Sequence, residues 1–99
     1  MSFLTKEDII NGFIGKIKEN GGKPSEWYTG IAKDPNARLK QHKVNGTAYY
    51  GDAGSEDVAR EIEDYMIKVV KTQGHGGGGD GNSKFAYCYK ITPTTDQDV

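Results

Sequence analysis

The spacing of hydrophobic residues near the start of the chain predicts a helix over residues 5–19. Apolar residues recur there at steps of three and four, which is the period of an amphipathic helix. These apolar positions are Ile9, Ile10, Phe13, Ile14 and Ile17. Thr5 followed by Asp8 is typical of a capping box at the helix start, and Asn20-Gly21-Gly22 is expected to end it.

Three short runs rich in aromatic and β-branched residues predict three strands. They cover residues 26–32, 47–50 and 85–91. Between the first two, Asp34-Pro35 is typical of a helix start, with Asp34 as the cap and proline at the first helical position. We expect this second helix to run to about Lys43.

A third helix is predicted after Ser55, which is a good N-cap residue followed at once by two acids. Its expected buried stripe consists of Val58, Ile62, Met66 (or Tyr65) and Val69. The stretch Gly74–Asn82 contains too much glycine to hold regular structure and is expected to be either a flap beside a site or a connector. The polar segment 92–99 is expected to fray.

The predicted element order is therefore α-β-α-β-α-β. Such alternation favours parallel strands, although a sheet of this size leaves the strand direction open. A length of 99 residues makes one domain, spanning 1–99, with a modest core. We expect an α+β fold, in which a small three-stranded sheet is flanked by helices. Residues 26–91 would form its core, and the N-terminal helix would be an addition to it.

Composition narrows the classes of function. Lys and Arg number 13 against 14 Asp and Glu, so the formal net charge is −1, which argues against a strong general nucleic-acid binder but allows a local basic patch. The single cysteine, Cys88, excludes a disulfide framework and favours a reducing compartment. Neither a membrane span nor a signal peptide is apparent, so we expect a cytoplasmic protein without a membrane partner.

Three familiar types of site are excluded by context. Residues 74–79 formally match GxGxxG, but a predicted helix precedes them and a strand follows, the reverse of a dinucleotide site. His75 is expected to be solvated, and two histidines with one cysteine do not make a zinc site. Cys88 lies in a predicted strand and is expected to be a small core residue.

The segment most informative about chemistry is WYTGIAKDPNARLKQH, from residue 27 to residue 42. Tyr28 and Gly30 share one strand face, and the missing side chain at Gly30 allows another group to approach closely. Arg38 and His42, four apart, share one helix face. The segment is locally basic through Lys33, Arg38, Lys40 and Lys43. A guanidinium and an imidazole that face a tyrosine suit a phosphate group.

This arrangement resembles the GIY-YIG nuclease family. Tyr28-Thr29-Gly30 corresponds to the family's second signature, Tyr-Ile-Gly. The family's arginine, about ten residues later on the next helix, corresponds to Arg38, and its histidine or tyrosine one turn on corresponds to His42. The family's metal-binding glutamate, in the pattern Ala-x-x-x-Glu, corresponds to Glu63 in AREIE. Asn82 is a candidate for its phosphate-binding asparagine.

The chain departs from this pattern at the first signature, Gly-Ile-Tyr. The family has it on a strand roughly ten residues before the second signature, where this chain has a predicted helix containing Gly12-Phe13-Ile14. The sheet would be complete if the final strand lay beside the strand of Tyr28. Tyr87 or Tyr89 would then replace the missing tyrosine, and the fold would be a permuted variant.

The resemblance implies an enzyme, a metal-dependent DNA endonuclease of a kind found in phages and bacteria. Glu63 would hold one Mg²⁺ or Mn²⁺ ion, and Arg38 would hold the non-bridging phosphate oxygens. The other implied phosphate-binding residues are Gly30, Lys33 and Asn82. Tyr28, or else Tyr87 or Tyr89, would position or deprotonate the attacking water, with help from a neighbour such as His42 or a metal-bound water. DNA is the expected partner, and a protein partner is left open.

Two alternatives remain from sequence. The first is a catalytically inactive GIY-YIG-like domain that binds nucleic acid or a protein, and the second is a structural or interaction domain. Taken singly, Tyr28 is a typical core residue of a strand, Arg38 and His42 are typical of a solvated helix face, and Glu63 is typical of a rim. The joint spacing of these residues favours a functional site.

Overall fold

A computed structural model describes residues 5–76 and 82–97 of the chain. Within these residues the α-helices are α1 (Lys6–Glu19), α2 (Pro35–Gln41) and α3 (Glu56–Tyr65), and the strands are β1 (Trp27–Ala32), β2 (Ala48–Asp52) and β3 (Phe85–Lys90). A 3₁₀ turn, Pro24–Glu26, precedes β1, and a π-helical segment, Met66–Val70, continues α3. The fold is α+β with a three-stranded sheet flanked by helices, as predicted from the sequence.

Each helix begins at the cap residue expected from the sequence. Thr5 accepts a hydrogen bond from the Asp8 backbone N–H at 3.1 Å, while its own N–H donates to the Asp8 carboxylate at 3.0 Å, which completes a capping box. Asp34 and Ser55 likewise accept from the backbone N–H three residues later, at 3.1 and 3.2 Å. The short polar caps therefore fix where the helices start.

The sheet has the strand order β1-β3-β2, and β3 is antiparallel to both of its neighbours. β1 and β2, which are joined through α2, consequently run parallel to each other, as their alternation with helices favoured. The final strand then fills the gap between them in the opposite direction, so no two adjacent strands are parallel. The connection from β1 to β2 through α2 skips one strand position in the sheet. Because the antiparallel β3 occupies that position, the sheet is not purely parallel.

The pairing of β1 with β3 places the aromatic residues of both strands on one face. Tyr28 is opposite Tyr89, and Gly30 is opposite Tyr87. Successive strand residues point to opposite faces, so these four positions share a face. The outer edge of β1 is covered by Gln73, whose carbonyl accepts from the Thr29 N–H at 2.9 Å.

The two faces of the sheet carry two separate hydrophobic clusters. α1 and α3 cover one face, and the buried residues there are Ile9, Ile10, Phe13, Ile17, Trp27, Ile62, Met66, Ala86 and Cys88. The opposite face carries Tyr28, Ala32, Tyr87 and Tyr89, against which partly buried Leu39 and Val44 pack from α2 and the residues after it. Cys88 is a buried core residue, as predicted.

The buried stripe of the third helix differs from the predicted one at its far end. Val69 is 59% exposed and Tyr65 is 40% exposed, whereas Met66 is fully buried. The π-helical segment Met66–Val70 is the reason, because its wider turn rotates the following side chains away from the phase of an α-helix. Glu63 takes a place in the actual stripe, together with Ala59 and Ile62.

The C-terminal segment also differs from its prediction as far as Gln97. It was expected to fray, but the Asp96 N–H donates to the His42 carbonyl at 2.6 Å and Gln97 accepts a hydrogen bond from Tyr89. These backbone and side-chain bonds anchor it on the face that carries α2. Residues 98–99 lie outside the described residues, as do residues 77–81 of the glycine-rich stretch. Of the helices described, none has the length and apolar character that a membrane crossing requires.

Candidate functional site

Four aromatic residues from three elements meet on the α2 side of the sheet. We refer to Tyr28, His42, Tyr87 and Tyr89 as the Tyr–His cluster. The His42 ring centroid lies 5.0 Å from that of Tyr28, 5.0 Å from that of Tyr89 and 5.6 Å from that of Tyr87. The sequence placed these four residues together, and the structure brings them into direct contact.

Local sequence explains how α2 delivers His42 to this cluster. β1 ends at Ala32, and the cap at Asp34 starts α2 only two residues later, so the chain turns back over the face that carries Tyr28. His42 follows the last helical residue, and its backbone N–H donates to the Arg38 carbonyl at 3.0 Å. This bond and the packing of Leu39 fix the imidazole over the sheet.

Gly30 has a different role from the one predicted. A Cβ atom at residue 30 would lie 2.5 Å from the Tyr87 hydroxyl oxygen and 2.6 Å from its Cζ, so the Tyr87 ring lies directly across the glycine. The sequence predicted that this gap would admit a phosphate, but a tyrosine from the neighbouring strand fills it. Gly30 therefore makes room for Tyr87 and is not itself open to a ligand.

The Tyr–His cluster is hydrogen-bonded and nearly inaccessible to solvent. His42 Nε2 and the Tyr87 hydroxyl are 2.8 Å apart, and His42 Nδ1 is 2.6 Å from the Asp96 carbonyl oxygen. His42 and Tyr89 are fully buried, while Tyr87 is 3% and Tyr28 5% exposed. Burial lowers the pKa of His42 below 6.5, against the opposing effect of the Asp96 carbonyl, so the imidazole is neutral at pH 7.

Tyr87 and Tyr89 are protonated at neutral pH. Burial strongly raises the pKa of Tyr87 and of Tyr89, and the nearby Tyr28 raises both further. Neither Tyr87 nor Tyr89 is a base by itself in these surroundings. Tyr87 can release its proton only as another group takes it up, and the neutral His42 Nε2 at 2.8 Å is placed to do so.

Two charged residues predicted for the site act on the same phenol. The Arg38 guanidinium lowers the pKa of Tyr87 and the Glu63 carboxylate raises it, in addition to the larger effects of burial and of Tyr28. Both charges are therefore close enough to influence one hydroxyl group. Arg38 comes from α2 and Glu63 from α3, so charges on two different helices influence the Tyr87 hydroxyl on the central strand.

A hollow of about 240 Å³ lies beside Arg38. It is lined by Ala32, Lys33, Asp34, Ala37, Arg38 and Gln41. Arg38 is half-buried and, within the described part of the chain, forms no ion pair. Lys33 is exposed at the rim. Two cations and a single carboxylate give the hollow a charge that suits a phosphate.

Glu63 is the residue that could hold a metal ion. Its side chain is 3% exposed on α3. Over residues 5–76 and 82–97, no cluster of three or more His, Cys, Asp or Glu residues could form a metal cage. A lone carboxylate still fits Mg²⁺ or Mn²⁺, since Mg²⁺ keeps several water ligands and is often held by one or two carboxylates together with phosphate. It does not fit zinc, which takes three or four protein ligands.

The structure leaves Asn82 apart from the cluster and adds residues that the sequence did not indicate. Asn82 is exposed and makes no hydrogen bond within the described residues. His75 is exposed, as predicted, yet its ring packs edge-on to Tyr28 at 5.7 Å and its Nε2–H donates to the Gln97 carbonyl at 2.8 Å. Gln97 and Asp96 belong to the polar C-terminal segment, in which no spacing or motif signals such contacts.

Comparisons with protein-family models, with curated proteins and with solved structures found no match for this chain.

Proposed function

We propose that the chain is a cytoplasmic, metal-dependent endonuclease that hydrolyses phosphodiester bonds in DNA, of the GIY-YIG type. The observation that carries the proposal is the hydrogen bond between the Tyr87 hydroxyl and His42 Nε2, which are 2.8 Å apart. The charges of Arg38 and Glu63 both influence the same hydroxyl. An acceptor for a proton, a cation for phosphate and a carboxylate for a metal are the three parts that such hydrolysis needs.

The position of β3 supports a permuted version of that fold. β3 is the central strand and pairs with β1, which places Tyr87 and Tyr89 beside Tyr28. The family's first signature would supply a tyrosine on a strand next to the second. Here the last strand supplies it, and the helix that occupies the N-terminal part of the chain packs on the opposite face.

In the proposed reaction the phosphate lies in the hollow beside Arg38, with Lys33 at its rim. Arg38 holds the non-bridging oxygens as negative charge develops on them. Water attacks phosphorus and gives its proton to the Tyr87 oxygen, while the Tyr87 proton passes to His42 Nε2. The new P–O bond forms as the bond to the leaving oxygen breaks, the leaving oxygen takes up a proton from solvent water, and the imidazolium returns its proton to solvent. The high pKa of Tyr87 means that this transfer must be concerted.

Glu63 would hold the Mg²⁺ or Mn²⁺ ion, which when bound neutralises the charge on the leaving oxygen. The chain itself contributes the carboxylate, its burial and its fixed place on α3.

A non-catalytic binding domain is the second candidate, and one observation favours it. All four residues of the Tyr–His cluster are at most 5% exposed, so a substrate reaches them only if part of the covering chain moves. The net charge of −1 also limits general affinity for nucleic acid. In this version the basic hollow binds a phosphate of DNA or RNA, and the cluster only supports the fold.

The test is conversion of supercoiled plasmid to open circle with Mg²⁺ or Mn²⁺. Glu63→Gln keeps the volume of the side chain and removes its charge, and we expect it to lower cutting by about a hundredfold or more. Glu61→Gln on the same helix is the matched control, because Glu61 is exposed, and it should cut like the parent. Equal cutting by the parent and Glu63→Gln, or none by the parent, contradicts the nuclease proposal.

Binding of a short DNA duplex at several salt concentrations separates the second candidate from a merely structural domain. Lys33→Gln should remove about one phosphate contact and flatten the salt dependence accordingly, whereas Lys18→Gln on α1 should not. DNA retention that responds to Lys33 without any cutting supports the binding domain. No retention at low salt excludes both candidates that need DNA, the nuclease and the binding domain, and leaves the structural domain.

A further inference from the structure

The hydrogen bonds around His42 determine which of its ring nitrogens carries the proton. A carbonyl oxygen only accepts hydrogen bonds, so at 2.6 Å from the Asp96 carbonyl His42 Nδ1 must be the protonated nitrogen. In a neutral imidazole Nε2 then has a lone pair. The Tyr87 hydroxyl at 2.8 Å is consequently the donor in the bond to Nε2.

The second phenol of the cluster is consistent with this assignment. The Tyr89 hydroxyl donates to Gln97 Oε1 at 3.0 Å, so its proton is already engaged. It lies 3.2 Å from His42 Nδ1 and can therefore only accept a share of the Nδ1–H. The Nδ1–H is then shared between the Asp96 carbonyl and the Tyr89 oxygen, while the Tyr87 and Tyr89 protons each have one acceptor.

Asp96 and Gln97 are held over His42 by several independent contacts. The Asp96 N–H donates to the His42 carbonyl at 2.6 Å, which makes the contact between the two residues reciprocal. The Gln97 carbonyl accepts from His75 Nε2 at 2.8 Å, and its side chain accepts from Tyr89. The segment is therefore anchored through both Asp96 and Gln97. It contacts the imidazole at Nδ1, the nitrogen on the side away from Tyr87.

We infer that Asp96 and Gln97 are positioning residues, which hold His42 in the Nδ1–H tautomer so that Nε2 faces Tyr87 as a proton acceptor. Its catalytic consequence rests on the proposed function, because only a reacting Tyr87 gives up a proton. The tautomer itself does not depend on it. Without the Asp96 carbonyl, the Nε2–H tautomer would become accessible, and that form presents a donor to Tyr87 and accepts no proton there.

The direct test is the ¹⁵N spectrum of the two imidazoles, in which protonated and unprotonated ring nitrogens are well separated. The chain has two histidines, so the signals that disappear in His42→Asn are those of His42. We expect the parent to show Nδ1–H at His42. A chain that ends at Thr95 should shift the tautomer ratio by about tenfold toward Nε2–H, and one that ends at Gln97 should not.

A point substitution covers the case in which the shortened chain does not fold. Asp96→Pro removes the N–H that docks Asp96 on the His42 carbonyl, and we expect the same shift of tautomer from it. Asp96→Asn keeps both backbone groups and should retain the parent tautomer. An Nε2–H tautomer in the parent, or an unchanged tautomer in Asp96→Pro and in the shortened chain, overturns the inference.

Cleavage measurements then separate this inference from the proposed function. If the parent cuts DNA, Asp96→Pro should lower kcat by about tenfold with KM nearly unchanged, since substrate contacts remain. A shortened chain that cuts faster with the parent tautomer would mean that the segment blocks the site, and would overturn the positioning role. If the parent does not cut, the nuclease proposal fails, while the ¹⁵N spectra still decide the positioning role.

Discussion

At the scale of single residues, the site depends on a pairing between the smallest side chain and one of the largest. Gly30 and Tyr87 face each other across β1 and β3, and the Tyr87 ring occupies the space that a side chain at residue 30 would need. Because interiors are close-packed, even one methyl group at that point must displace the ring. The hydrogen bond between Tyr87 and His42 would move with it.

We therefore predict that Gly30→Ala destabilises the protein by about 1–3 kcal/mol, as is usual for an overpacked core. It should also weaken the bond between Tyr87 and His42. Gly12→Ala is the control, because residue 12 is exposed on α1 and a Cβ there meets nothing within 4 Å. That change should stabilise by about 0.5–1 kcal/mol. Urea denaturation measures both, and a neutral Gly30→Ala would contradict the close contact.

The buried imidazole predicts a second effect, the loss of stability in mild acid. Burial holds the pKa of His42 below 6.5, with Arg38 and His75 adding to that shift and Asp96 opposing it. The unfolded chain therefore binds a proton that the folded chain does not. This contribution to the free energy of unfolding is full above about pH 6.5 and is lost as the pH falls toward the folded pKa.

The measurement is the free energy of unfolding between pH 8 and pH 5, for the parent and for His42→Asn, which cannot titrate. The difference between the two should shrink as the pH falls through the ordinary range of histidine. Parallel curves for the parent and His42→Asn would show that His42 is not the group responsible.

The sequence predicts which residues share a face, but it does not predict what they contact across strands. The strand period places Tyr28 with Gly30, and the helix period places Arg38 with His42. Tyr87 lies opposite Gly30 because of the register between β1 and β3, two strands that are far apart in sequence. Asp96 and Gln97 are further from prediction, because a polar residue that accepts a hydrogen bond leaves no periodic signal.

At the scale of elements, local chemistry fixed the helix starts, and tertiary packing altered a helix end. Thr5, Asp34 and Ser55 cap the helices where the sequence predicted. The π-helical segment Met66–Val70 was not predicted, because its wider turn has no composition of its own. It ends at Lys71 with a φ of 76°, a left-handed conformation that commonly terminates a helix.

Substitutions in this segment distinguish the observed set of buried residues along α3 and its continuation from the predicted set. Met66→Ala should destabilise the protein by about 2–5 kcal/mol, because Met66 is fully buried in the core. Val69→Ala should change stability by less than about 0.5 kcal/mol, because Val69 is 59% exposed. Thermal or urea unfolding measures both variants. A large loss of stability in Val69→Ala together with a small one in Met66→Ala would contradict the π-helical segment and favour the uninterrupted α-helix that the sequence predicted.

At the scale of the whole molecule, the sheet separates an apolar core from the Tyr–His cluster. The α+β class and the number of strands were predictable from the pattern of strands and helices, and the placement of β3 beside β1 was expected from the resemblance to a permuted GIY-YIG fold. The antiparallel direction of β3 was not, because periodicity within a strand is the same for either direction. The docking of the last residues on α2 was not predictable either, since that contact joins segments 54 residues apart.

The single thiol reports on the closure of this core. Cys88 is 1% exposed on the central strand, and burial raises its pKa to about 12, against a smaller opposing effect of the hydrogen bond from Thr29. We predict that the native chain reacts with a thiol reagent about a thousandfold or more slowly than the unfolded chain. Glu61→Cys in a Cys88→Ala background is the exposed control and should react at once. Rapid labelling of native Cys88 would show that the core opens locally.

The central place of the last strand has a consequence for biosynthesis. β1 and β2 each have β3 as their partner in the sheet, and β3 is the last of the three to be translated. Until the ribosome has translated residues 85–90, β1 and β2 lack the strand that joins them, and the apolar faces of α1 and α3 have no complete sheet to pack against. The nascent polypeptide is therefore expected to stay vulnerable to aggregation and dependent on chaperones until Phe85–Lys90 emerges, after which the whole sheet can assemble in one cooperative event.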